Sequence, residues 1–117
     1  MNIACFLYPQ FTSIDMIGPI TAWHFMPDVT FEFIAAQKGP VVTDTGLAFV
    51  ATHDFNTMSA RPDVVFVPGG GLPTCEALQD EALGAAIARA GAHFVERHVG
   101  EPVAHHPRVG RPVPQQL

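Results

Sequence analysis

The segment "VVFVPGGG", residues 64–71, narrows the possible folds more than any other stretch of the chain. Its apolar residues run without alternation, the pattern of a strand buried on both faces, as in a parallel sheet. The run stops at Pro68 and three glycines, and "TCEALQDEALGAAIARAG", rich in Ala, Leu, Glu and Arg, follows as a helix. A strand that ends in glycines at a helix start presents free backbone N–H groups to an anion or a developing oxyanion, and the absent side chains let a ligand come close. The motif is neither G-x-G-x-x-G nor a Walker loop, because the Lys-Ser/Thr pair is absent, so the loop alone does not specify a nucleotide. A plain strand-to-helix turn has the same residues.

The remaining pattern supports an α/β order. "NIACFLY" is a nearly continuous apolar run ended by Pro9 and reads as a first, central strand over Asn2 to Tyr8. Ile14, Ile17, Ile20, Trp23 and His24 then recur at helical spacing. Proline donates no backbone N–H and is tolerated near a helix start, so Pro19 places the expected helix start near Gly18 and leaves Asp15 in the preceding loop. "VTFEFIAA" alternates and is rich in β-branched and aromatic residues, a second strand closed by Gly39-Pro40. Asp44-Thr45-Gly46 between two short apolar pieces signals a hairpin, since glycine adopts positive φ at little cost. Strand, helix, strand, hairpin, strand, helix is the resulting order.

With 117 residues the chain suits one domain. Its apolar content of 48% against 15% charged residues excludes the highly charged, disordered class. No apolar run reaches a membrane span and the N-terminus lacks a basic, cleavable leader, so a cytoplasmic location without membrane partners is the expectation. Nine of the eleven acidic side chains lie in residues 1–91, against Lys38, Arg61 and Arg89; neither this body nor the tail carries the dense basic face that direct nucleic-acid contact requires. From about Ala92 the helical pattern ends: Pro102, Pro107, Pro112 and Pro114 interrupt the chain, and one short strand near "HFV" followed by an irregular tail over 92–117 is expected.

"FLYPQFTSIDMIGP", "GPVVTDTGLAFVATHDF" and "DVVFVPGGG" together resemble the opening half of the DJ-1/PfpI superfamily, above all its isonitrile hydratase-like branch; the likeness covers roughly residues 1–91. The resemblance implies an incomplete flavodoxin-like α/β sandwich with a mainly parallel sheet and a small β-hairpin excursion, usually dimeric, acting on a small-molecule substrate without a cofactor. It also implies a cysteine nucleophile on a strand-to-helix elbow, Asp15 as the acidic residue beside that thiol, and Gly70 and Gly71 at the oxyanion positions. The implied reaction is hydration of an isonitrile to an N-substituted formamide. Where a Val-Cys-Thr-Gly elbow is expected after the second helix, this chain reads "AHFVERHVGEPVAHHPRVGRPVPQQL". The expected nucleophile is missing there, which reads as a truncation or a reading-frame change, and the expected activity is correspondingly impaired. The alternative is a non-catalytic ligand-sensing domain related to the N-terminal half of AraC-type transcription regulators.

Other candidates have ordinary readings. Cys75 stands where the second helix begins and reads first as a small apolar contact on the helix's inner face; a helix N-terminus lowers a thiol pKa, which makes it a secondary candidate for a substitute nucleophile. Cys5, inside the first strand, reads as packing. The two cysteines lack C-x-x-C spacing and read as free thiols. His24 and His53 read as packed rings with a satisfied nitrogen, and Trp23 and Phe25 as core or dimer-interface aromatics. His98, Glu101, His105 and His106 lie in a proline-broken segment and form no preorganised metal set.

Overall fold

A computed structural model describes residues 1–70 and 79–99. Four parallel strands form the central sheet in the order β5-β2-β1-β6, built from β1 (Asn2–Phe6), β2 (Thr30–Ala35), β5 (His53–Asp54) and β6 (Val64–Phe66). β3 (Gly39–Val42) and β4 (Ala48–Ala51) form a separate antiparallel hairpin. Among the described residues the helices are α1 (Ser13–Trp23) and α2 (Glu81–Val99). The expected α/β class, the parallel sheet and the hairpin excursion are all present.

β1 is central and buried on both faces, as its unbroken apolar run implies: Ile3, Ala4, Cys5 and Phe6 are at most 1% exposed. Register places Ile3, Cys5, Phe31, Phe33, Val64 and Phe66 on one face. α1 packs there, its Trp23 meeting Phe66 edge-on with ring centroids 5.5 Å apart. Ala4, Phe6, Ile34 and Val65 point to the other face. Leu83, Ala86 and Ala90 form the buried stripe of α2, at the three- and four-residue spacing of a helix face.

Three local expectations need correction. α1 begins at Ser13 rather than near Gly18, so Asp15 lies in its first turn and Pro19 within it. The bond that Pro19 forgoes would have gone to the Asp15 carbonyl at the helix start, and burial of Ser13 and Met16 fixes the first turn against the body. Gly39 and Pro40 open β3 instead of closing β2; Gly39 makes the entry with φ of 117°, a conformation other residues rarely adopt. α2 runs through Gly91 to Val99, where a short strand was expected. Gly91 costs only about 1 kcal/mol within a helix, and its neighbours Ala90 and Ala92 favour one.

Candidate functional site

In an open α/β sheet, ligands bind beyond the carboxyl ends of the strands at the point where strand order reverses. Here the chain moves from β1 outward to β2 and β5, then returns to add β6 on the other side of β1. The reversal therefore lies between β1 and β6. The loops that leave these two strands are "LYPQFT" and "VPGG", residues 7–12 and 67–70, and they are bonded to each other.

Two hydrogen bonds join them. The Tyr8 hydroxyl donates to the Pro68 carbonyl at 2.8 Å in a buried setting, and the Thr12 N–H donates to the Gly69 carbonyl at 3.0 Å. The first loop also turns through Gln10 at φ 70°, whose N–H donates to the Val42 carbonyl of β3 at 2.8 Å.

The start of α1 is capped from outside the helix. Thr12 is the N-cap residue but its side chain makes no capping bond. The Ser13 N–H, left without a partner by helix geometry, instead donates to Asp44 Oδ1 of the hairpin turn at 3.0 Å. Asp44 in turn donates its own N–H to the Phe11 carbonyl at 3.0 Å. The Ser13, Thr43 and Thr45 hydroxyls cluster around the same junction, 3.2 to 3.4 Å apart along the chain of contacts.

This framework sets Asp15 over the glycine loop. A Cβ built on Gly69 would lie 3.0 Å from Asp15 Oδ2, closer than ordinary van der Waals contact, so glycine is what leaves room for the carboxylate. Asp15 is half-buried, and among the described residues its carboxylate accepts no hydrogen bond. It lines a recess of about 350 Å³ together with Ile14, Pro19, Phe66, Val67 and Gly69. One carboxylate in an otherwise apolar recess suits a small substrate with one reactive end.

Asp15 and the glycine loop, read as separate features of the sequence, thus come together. Gly70 follows Gly69 and is exposed. Gly71 and Cys75 lie outside the described residues. Cys5 is fully buried in β1, and burial pushes its thiol up to about 12, which leaves it unsuited to nucleophilic work. His53 is half-buried, with Nδ1 in hydrogen-bond contact with Thr52 Oγ1 at 2.9 Å and Nε2 3.9 Å from Glu32 Oε2, beyond hydrogen-bond distance. His24 is exposed rather than packed inside and rests on Phe25, itself 78% exposed, at 4.6 Å between centroids. Among the described residues, no three His, Cys, Asp or Glu side chains converge as a metal-binding set.

Sequence reasoning missed Tyr8 and Asp44. Tyr8 ends an apolar run and reads as one more core residue, although a buried tyrosine needs a partner for its hydroxyl. Asp44 reads as a turn residue, and nothing local announces that it caps a distant helix.

No family model matches the chain. Isonitrile hydratase of Pseudomonas putida is 33% identical over 70 residues, covering 60% of this chain and 30% of that protein. A THiJ/PfpI family protein from Pseudomonas syringae superposes with a TM-score of 0.75 at 34% identity, over 78% of this chain and 38% of the other. A DJ-1 superfamily protein from Agrobacterium tumefaciens shares the fold at 17% identity, with a TM-score of 0.64 over 80% of this chain and 50% of the other. A parallel sheet carries an acid and a glycine loop at its switch point. In sequence and fold the chain is similar to proteins of the DJ-1/PfpI superfamily. It spans about a third of the length of the Pseudomonas putida and Pseudomonas syringae proteins.

Proposed function

We propose that this chain carries the acid-bearing half of an isonitrile hydratase-like site, and that by itself it hydrates isonitriles slowly or not at all. The observation that carries this reading is the Asp15 carboxylate, without a hydrogen bond among the described residues, held over Gly69 at the strand-order reversal. The likeness to isonitrile hydratase supports the substrate class.

The reaction divides among three groups. A thiolate adds to the terminal isonitrile carbon, that carbon gains a proton, and water then displaces the thiol to leave an N-substituted formamide. Asp15 is placed to pass the proton, and the N–H groups of Gly70 and Gly71 would stabilise charge that develops on the adduct. The thiol is the missing part: Cys5 is sealed in the sheet, and no cysteine stands where the resemblance calls for one.

The test is to titrate the full chain with cyclohexyl isocyanide while recording both amide resonances and formamide formation. Saturable shifts at Asp15 and Gly69, lost in Asp15→Ala, with formamide appearing at the buffer rate, are expected. Turnover that disappears in Cys75→Ser would overturn the inactivity. Shifts that leave Asp15 and Gly69 untouched would overturn the site.

A further inference from the structure

A second hollow, of about 370 Å³, opens at the same carboxyl edge of the sheet but over β1 and β2. Leu7, Ala35, Val41, Phe55 and Leu83 form its apolar wall. Tyr8 also lines it, while the Tyr8 hydroxyl is bonded to Pro68 of the glycine loop. This hollow shares no lining residue with the Asp15 recess.

Its walls are fixed by bonds that do not depend on a ligand. The Leu7 N–H donates to the Ile34 carbonyl at 2.7 Å, and the Gln10 N–H holds β3 through Val42 at 2.8 Å. Arg89 Nη2 of α2 donates to the Phe55 carbonyl at 3.2 Å. A hollow this size lies at the small end of the range for ligand pockets, and a preformed apolar wall with a few polar groups is their usual make-up.

The polar groups at the wall define the ligand. Asp80 is the one charged side chain in the lining, and its Oδ1 already accepts the N–H groups of Ala82 and Leu83 at 2.9 and 3.2 Å, capping α2. Its negative charge repels an anionic head. The positive end of the α2 dipole beside it offsets part of the attraction that the carboxylate has for a cationic one. Gln37, at an exposed position, also lines the hollow, and among the described residues its side-chain amide makes no hydrogen bond, so both a donor and an acceptor are on offer at the rim. We infer that this hollow is a binding site for a small neutral molecule with an apolar body and an amide head, the body against Phe55 and Leu83 and the head paired with Gln37.

The full chain is titrated with cyclohexanecarboxamide and followed by amide resonances. Saturable shifts at Leu7, Ala35, Phe55 and Leu83, with Asp15 and Gly69 unmoved, are expected. Cyclohexanecarboxylate and cyclohexylmethylammonium, which share the body and carry opposite charges, should bind more weakly. Ala36→Trp, at an exposed position on the rim, should fill the hollow and weaken binding more than ten-fold. Gln37→Ala should weaken it roughly three- to ten-fold, the loss of one or two hydrogen bonds. Absence of saturable shifts, equal binding of the three heads, unchanged affinity in Ala36→Trp with an otherwise native spectrum, or shifts centred on Asp15 would each overturn the assignment. Because the two sites share no residue and the probe is not an isonitrile, failure here leaves the Asp15 reading standing, and the reverse holds.

Discussion

The Tyr8 hydroxyl and the Pro68 carbonyl, sixty positions apart in the chain, meet at 2.8 Å in the interior and tie the end of β1 to the glycine loop. Removing the hydroxyl in Tyr8→Phe leaves a buried carbonyl without this donor, a loss on the order of 1–3 kcal/mol. A urea titration should show a lower midpoint, and the amides of Gly69 and Gly70 should exchange with solvent faster. An unchanged midpoint would mean that the tie contributes nothing to the loop.

Gly69→Ala should displace the Asp15 carboxylate, because the added methyl group falls 3.0 Å from Oδ2. The change should therefore cost less stability in an Asp15→Ala background than in the native chain. A coupling of about 0.5–3 kcal/mol in the double-mutant cycle is expected for groups in contact. Additive effects would show that the two residues do not press on each other.

Asp44→Ala removes the acceptor of the Ser13 N–H and frees the helix start that carries Asp15. Loss of an N-cap costs about 1 kcal/mol. Asp44→Asn, which keeps an acceptor oxygen, should restore most of it. Exchange rates for the Ser13 amide should follow the same ranking, and equal rates in all three proteins would remove Asp44 from the capping role.

Cys5 should resist thiol reagents at pH 8 in the folded protein and react only on unfolding, which a Cys75→Ser variant would display in isolation. Its folded pKa is raised from 9.0 to about 12 by burial, so the unfolded chain releases this proton first as pH rises. The contribution to stability is complete below pH 9 and declines between pH 9 and about 12, by up to roughly 1.4 kcal/mol per pH unit. Cys5→Ala should lack this component, so its stability should fall less steeply over that range. Parallel slopes would count against the raised pKa.

The unbroken apolar runs of "NIACFLY" and "VVFV" marked β1 and β6 in the sequence because burial on both faces removes alternation. The Asp44-Thr45-Gly46 turn marked the hairpin for an equally local reason, and Gly46 does take a positive φ of 88°. β5 was invisible, since His53 and Asp54 make too short a run to carry a pattern and owe their strand geometry to pairing with Ile34 and Ala35. Pro19 misled the reading of α1: the rule against interior proline weighs one lost bond, whereas burial of Ser13 and Met16 decides where the helix begins. The partnership of Asp15 with the glycine loop came from resemblance alone. No spacing rule connects an acid on one crossover with a turn after a different strand.

The cap on α1 has a consequence for how the molecule comes into being. Asp44 lies 31 positions after the amide it receives, so a chain emerging from the ribosome has already released the whole of "SIDMIGPITAW" before the anchor for its first turn exists. The acid's final posture thus awaits the birth of the hairpin, and nascent chains halted just short of residue 44 should display a frayed first turn.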